Sequence, residues 1–465
     1  MICPVNDKPA AAASASPPAA AGAGAPAQAA GRWTRFVGLD VHKKLVVACV
    51  LNAAGEKLHS ESFDCTPQQL ERFAKAWIGP EGVAALEATS NTWAVCNVLA
   101  PHCGAVKVSN PLKTKAIAQA SVKTDKVDAQ VLGQLLRCDY LPGVWTVDEK
   151  TRRLRQLAAR RTALVQDRTA VKNRIHSTLA GELIDVPMAR LYAPTGLDWL
   201  KKVAMDPQAR EFIDSDLRIL ELLEKEIELL NKQLATQAYH DAQAKLLVTL
   251  PGVDYPVAMT LLAALGDVHR FADGDHAASY LGLTPSTRQS ADHCYHGSIT
   301  KQGNRHARWM LIEAAQHLDK NPGPLGVFFR RIAKKKNRNV AVVATARKMV
   351  TIAWLMLVRN EPYHYVQPST TEVKLARLRI KAGGPKRVGG TPKGQPRSVN
   401  YGHGRKARTV APLQEVYAKE ALPEPMAIEQ LPVGERAMLE RTGTLGAVAA
   451  FRKPQPRVPA AAAEA

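Results

Sequence analysis

Four acidic side chains stand where metal-assisted chemistry could use them. Asp40 closes the run "FVGLD", Glu87 closes "AALE", and Asp125 and Asp128 lie three apart in "KTDKVDAQVL". Positions i and i+3 of a helix share a face about one turn apart, so that pair would hold two like charges together. An isolated pair of this kind is usually a solvated helix face, here flanked by Lys123 and Lys126. Four carboxylates meeting at one point are a different matter, because they could not all stay ionised unless cations sat among them. Oxygen-only ligands suit Mg²⁺ or Mn²⁺ rather than zinc. Two such ions ~3.5–4 Å apart would clamp the attacking and leaving oxygens of a phosphodiester.

Such a meeting depends on the elements that carry the acids. Residues 35–41, 44–51 and 56–63 predict three successive strands, the last two joined by an "NAAGE" turn. A helix over about 67–78 follows, then "GVAALEA" as a buried strand, a helix near 91–102, "GAVKVSN" as another strand and a helix from about 124. Three strands in succession and then alternation imply a mixed sheet with helices on its faces. In that order the first and fourth strands are neighbours. Asp40 and Glu87 then end adjacent strands, within reach of the helix that carries Asp125 and Asp128.

The remaining chain divides by composition. Residues 1–33 are Ala/Pro-rich, build no core, and are expected to form a disordered leader ahead of an α/β domain at 34–147. Region 148–240 is expected to be helical. "RRLRQLAARRTALVQDRTAVKNRIHSTL" places Leu154, Leu157, Leu164, Val171 and Ile175 on one side, and a second helix carries Ile213, Leu217, Leu220, Leu223, Ile227, Leu230 and Leu234. Spacings of three and four fit either a coiled coil between chains or a helical hairpin within one. Region 241–365 opens on "LLVTLPGVDYPVAMTLLAALGD", where Pro251 and Gly252 make a tight turn between apolar helices. That pattern is like a helix–hairpin–helix, whose turn amides can hold a backbone phosphate. Region 366–465 reads as a basic, Pro/Gly-rich and largely disordered tail, with eleven Lys/Arg and no acid between Val373 and Thr409.

Charge and composition narrow the function classes. Sixty-three Lys+Arg against 42 Asp+Glu leave +21 over 465 residues, which favours a polyanionic partner, nucleic acid first. The greasiest stretch, "VTIAWLMLV", is nine residues long behind Arg347 and Lys348, so no membrane span is expected. Seven cysteines, an odd number without a CxxC spacing, suggest reduced thiols in a cytoplasmic compartment. "DHCYHG" clusters His293, Cys294 and His296, but no complementary Cys/His pair follows, which argues against zinc.

"VGLDVHKK", "LEATSNTW", "SNPLKTKAIA" and "KTDKVDAQVL" closely resemble the amino-terminal half of the DEDD transposases of the insertion-sequence one-ten family. "YLGLTPSTRQS" and "GSITKQGNRHARWMLIEAA" resemble the same family's carboxy-terminal transposase domain. The resemblance spans roughly 35 to 365. It implies a RuvC-like, ribonuclease H-type α/β domain and a carboxy-terminal transposase domain, read here as mainly α-helical, on either side of the region with coiled-coil spacing. It places the metal-binding tetrad on Asp40, Glu87, Asp125 and Asp128, with Mg²⁺ or Mn²⁺, two ions in all. It also places the family's nucleophilic serine on Ser290, which would attack DNA and form a covalent phosphoserine. A non-coding guide RNA, and an active site assembled between protomers of a dimer or tetramer, are further implications.

Lys301, Arg305 and Arg308, beside Gly303, are expected phosphate contacts, together with Lys123, Arg160, Arg168 and the basic run Lys334, Lys335 and Lys336. Two other functions fit the residues less fully. A resolvase-like nuclease would use water in place of Ser290, and a decayed transposase would grip nucleic acid without cutting it.

Overall fold

A computed structural model describes residues 33–117, 124–290, 293–385 and 411–452. They form two compact units divided between Asp148 and Glu149.

In the amino-terminal unit the elements run β1 (Arg35–Val41), β2 (Leu45–Asn52), β3 (Lys57–Asp64), α1 (Pro67–Phe73), β4 (Gly79–Glu87), α2 (Thr92–Leu99), β5 (Cys103–Ser109), α3 (Pro111–Ile117) and α4 (Asp125–Arg137). The sheet order is β3-β2-β1-β4-β5. β1 pairs antiparallel with β2 and parallel with β4, so the first and fourth strands are neighbours as the element order requires.

Alternation assigns the two sheet faces. Val37, Leu39, Val41 and, from β4, Ala84 and Leu86 pack with Leu70 and Phe73 of α1 and Val95 and Leu99 of α2. Phe36, Val83 and Ala85 point the other way and pack with Ala129 and Leu136 of α4. Asp40 shares the parity of Phe36, and Glu87 that of Val83 and Ala85. Both therefore belong to the face that α4 covers.

The second unit begins with a long helical hairpin, α5 (Glu149–Gly181), α6 (Pro194–Lys202) and α7 (Pro207–His240). Ile213, Leu220, Ile227 and Leu234 are buried at seven-residue intervals along α7. Arg174 pairs with Asp216, and Arg168 with Glu224, which sets α5 and α7 antiparallel. Of the two arrangements the sequence allows, this seam is the hairpin within one chain.

A core follows from α8 (Ala242–Val248), α9 (Tyr255–Leu265), α10 (Gly274–Tyr280), the hairpin β6 (Pro285–Ser290) and β7 (His293–Ile299), α11 (Arg305–Ala315), α12 (Pro324–Lys335) and α13 (Arg338–Arg359). Gly252 does take a positive φ of 79° between α8 and α9, and a Cβ there would meet the Ala314 carbonyl oxygen at 2.4 Å. α13 is long and apolar enough to cross a membrane, unlike the nine-residue stretch read from sequence. Its Ala346, Met349, Val350, Ile352, Ala353 and Met356 are instead buried in this core.

The expected disordered tail needs correction too. α14 (Pro368–Lys381), α15 (Leu413–Lys419), α16 (Val433–Arg441) and α17 (Leu445–Arg452) are helices. Leu375, Leu378, Val416, Tyr417, Met438, Leu439 and Val448 belong to the same core. Composition hid them, because the basic stretch dominates the average while the apolar positions are spaced for helices. Residues 1–32 and 386–410, the leader and the heart of the basic stretch, lie outside the described residues.

Candidate active site

Asp40 reaches the site because β1 delivers it to the edge of the α4-covered face, where it is partly buried. The β1–β4 register runs to Leu39 opposite Leu86, so Asp40 and Glu87 follow side by side on that face. The Glu87 end of β4 is fixed by Thr92, whose Oγ1 donates to the Glu87 carbonyl at 3.2 Å. α4 opens at Thr124, which accepts from the Val127 amide at 3.3 Å, and this cap places Asp125 and Asp128 in the first helical turn. Negative charge is favourable there, against the helix dipole.

Close approach of α4 to β1 completes the arrangement. A Cβ on Gly38 would lie 1.9 Å from the Ala129 carbonyl oxygen and 2.6 Å from the Gly133 amide nitrogen. Asp125, Ala129 and Gly133 are successive i,i+4 positions on α4. The contact at Gly38 therefore carries Asp125 toward Asp40, two residues along the strand.

A residue the sequence reading passed over enters here. His42 sits in the quoted "VGLDVHKK", two places after Asp40, and strand alternation alone would have put it on the same face. Its Nε2 lies 3.3 Å from Oδ2 of Asp40 and 3.3 Å from Oδ2 of Asp125. One ligand atom from each of Asp40, His42 and Asp125 fall within 4.8 Å of one another.

Electrostatics in the cluster favour a positive charge. Burial pushes the Asp40 carboxyl above its ordinary value; His42 opposes this, while the Asp125 and Asp128 charges push it further up. A divalent cation would reverse that balance, and the oxygen-rich donor set fits Mg²⁺ or Mn²⁺. Of the four expected ligands, Asp40 and Asp125 are brought together directly, Asp128 is near enough to act on Asp40, and Glu87 arrives through strand register.

Ser290 is not a loop residue. It ends β6, opposite His293 of β7, with Arg288 opposite Tyr295. Residues directly opposite in an antiparallel pair, and residues two apart on one strand, share a face. Ser290, His293, Arg288 and Tyr295 therefore share one exposed face, and Thr287 bonds His296 at 3.1 Å on the other. Tyr295 is 71% exposed, an aromatic surface beside a hydroxyl and a guanidinium.

The expected phosphate contacts divide. Arg160, Lys301, Arg305, Lys334, Lys335 and Lys336 are exposed. Arg168 is taken up in its pair with Glu224. Arg308 is buried, and its Nη1 donates to the carbonyls of Leu281 at 3.0 Å and Gln302 at 2.9 Å. It therefore braces the loop before α11 instead of meeting a phosphate. Lys123 lies outside the described residues.

Comparisons with known proteins agree on one kind of protein. Residues 37–183 match the family model for a DEDD transposase, and residues 244–323 match the transposase IS116/IS110/IS902 family. The transposase for insertion sequence element IS1111A of Coxiella burnetii is 25% identical over 250 residues, 52% of this chain and 69% of that protein. The transposase for insertion sequence element IS1328 of Yersinia enterocolitica is 23% identical over 288 residues, 60% of this chain and 84% of the relative. The pilin gene-inverting protein of Moraxella bovis is 25% identical over 349 residues, 70% of this chain and 97% of its own length. A Sinorhizobium fredii relative, 28% identical over 233 residues, is spanned for 55% of its length.

Proposed function

The chain belongs to the IS116/IS110/IS902 family of transposases, and on that premise we propose that it cuts and rejoins DNA strands, with Asp40, Glu87, Asp125 and Asp128 holding divalent cations and Ser290 as nucleophile. The observation that carries this reading is the meeting of Asp40 and Asp125, 85 positions apart in the chain, in one cluster of donor atoms with His42. Mg²⁺ or Mn²⁺ held there would supply Lewis-acid stabilisation of the charge that builds on a phosphodiester under attack.

The chain's own groups do the rest. The Ser290 hydroxyl forms an Oγ–phosphorus bond as the bond from phosphorus to the leaving sugar oxygen breaks, and that oxygen takes up a proton as it leaves. The serine-linked phosphodiester keeps the energy of the broken bond, so a second hydroxyl can displace Ser290 and rejoin the strand. Arg288, on the same hairpin face, is suited to hold the phosphate, and Tyr295 to stack on an unpaired base. Exposed Arg160, Arg305 and Lys334–Lys336 support nucleic-acid backbone binding, of DNA and of a non-coding guide RNA. Phe212, Ile219, Leu222 and Leu229 stay exposed along α7 and support assembly into a homo-oligomer.

The test is a covalent adduct. Wild-type protein and Ser290→Ala are incubated with Mg²⁺ and DNA carrying the element's ends, then denatured. An adduct formed by the wild type and lost in the variant is expected. Hydrolysed ends with no adduct would favour a resolvase-like nuclease, and DNA binding untouched by Asp40→Ala, with no cutting, a purely binding protein.

A further inference from the structure

The backbone of His42 is held on both sides. Its N–H donates to the Leu45 carbonyl at 2.9 Å, and its carbonyl accepts from Nδ2 of Asn91 at 3.1 Å. Asn91 follows the Glu87 end of β4, so the two strand ends that carry Asp40 and Glu87 also fix the segment that carries the imidazole. From this anchored position Nε2 stands 3.3 Å from a carboxylate oxygen of Asp40 and 3.3 Å from one of Asp125. Ligands at right angles around a cation ~2.1 Å away lie ~3 Å apart. The imidazole nitrogen is therefore spaced from each carboxylate oxygen as neighbouring donors of one coordination sphere are, and all three donor atoms lie within 4.8 Å of one another.

We infer that His42 is itself a ligand of the cation held by Asp40 and Asp125, turning an all-oxygen site into a mixed nitrogen–oxygen one that favours Mn²⁺ over Mg²⁺. This rests on reading the cluster as a metal site. The chemistry follows from ligand preference. Mg²⁺ is a hard cation that takes oxygen and gives up its waters reluctantly, whereas imidazole is a good ligand for first-row transition cations. A rival arrangement leaves His42 as the cationic partner of two carboxylates, outside the coordination sphere of the metal.

The full-length protein, titrated with Mn²⁺ and separately with Mg²⁺ by calorimetry and examined with Mn²⁺ by pulsed electron paramagnetic resonance, separates these cases. Expected is a histidine-nitrogen coupling in the wild type that disappears in His42→Ala, with the preference for Mn²⁺ over Mg²⁺ falling at least about tenfold. His42→Gln, which restores bulk and an oxygen donor, is expected to bind both ions without the coupling. Circular dichroism confirms that each variant folds. Mn²⁺ bound by the wild type without nitrogen coupling, or an unchanged preference in His42→Ala, overturns the inference and leaves the metal site standing. No Mn²⁺ bound by the wild type, or equal binding by Asp40→Asn, overturns the metal reading itself.

Discussion

Gly38 of β1 and Ala129 of α4 meet so closely that a single added carbon at Gly38 would lie 1.9 Å from the Ala129 carbonyl oxygen. Backbone cannot yield at that distance as a flexible side-chain tip would. Gly38→Ala must therefore push α4 away from the sheet. Asp125 and Asp128 ride on that helix, and Asp40 stays with the strand. The expected outcome is a loss of Mn²⁺ affinity of at least about tenfold, with a stability loss on the order of 1–3 kcal/mol from overpacking. Metal titration beside thermal unfolding checks it. Full affinity in Gly38→Ala would show that the helix position does not set the site.

Asp40 is destabilising without metal. Its proton binds more tightly in the folded protein than in the unfolded chain, because burial and neighbouring carboxylates disfavour the anion. The stability that this proton contributes is present below the ordinary carboxylate range and is lost as pH rises through the raised folded value. Asp40→Asn removes the effect. In the metal-free state at neutral pH the variant is expected to melt a few degrees above wild type, with the gap closing as pH falls through the raised folded value and gone below about 4. Added Mg²⁺ should raise the wild-type melting temperature and leave the variant unmoved. Calorimetric scans with and without Mg²⁺ would expose a variant that melts lower.

These two cases show where sequence was informative. The strand order and the Asp40–Glu87 adjacency follow from counting elements, because three strands before the first helix leave few ways to close the sheet. His42 went unnoticed although strand parity puts it beside Asp40, since parity past a strand's end depends on the turn that follows. The hairpin bearing Ser290 was hidden because nearly every residue in it is polar and exposed, so no hydrophobic alternation marks a strand. Arg308 looked like its exposed neighbours, and only burial reveals that its guanidinium holds two carbonyls of its own chain. Helices α14 to α17 escaped a compositional reading because the basic stretch between α14 and α15 dominates the average, while their apolar residues recur at helical spacing.

Glu435 of α16 ties one of those overlooked helices into the core. Its Oε2 accepts from the Tyr365 hydroxyl at 2.7 Å and lies 2.9 Å from Nδ1 of His364. Burial alone would push the carboxyl up, but the bonds from His364 and Tyr365 work against burial and help hold it below its ordinary value. With a folded value below the unfolded one, the stabilisation is present above about 4.5 and is lost as pH falls through the lowered folded value. Glu435→Gln is expected to cost on the order of 1–3 kcal/mol at neutral pH and to flatten the acid limb of the stability profile. Chemical denaturation across pH 2–7 measures both. Parallel profiles for the two proteins would mean that Glu435 does not set the acid response.

The basic stretch calls for a narrower experiment than its composition suggests. Removing 373–409 whole would also remove Leu375 and Leu378 from the core and Lys374, which is buried and donates to the carbonyls of Leu250 at 2.8 Å and Val253 at 3.0 Å. Such a deletion would confuse unfolding with weakened binding. Replacing only the seven Lys/Arg within 386–410 by Ser leaves those interactions intact. Each phosphate that is no longer neutralised lowers the slope of log affinity against log salt by about 0.9 on duplex DNA and about 0.7 on a single strand. If this stretch lies along a nucleic-acid backbone, the variant binds more weakly at low salt, its salt dependence flattens by several such steps, and its melting temperature is unchanged. Binding isotherms at four or five salt concentrations decide the matter, and superimposable slopes would assign polyanion binding to the helices instead.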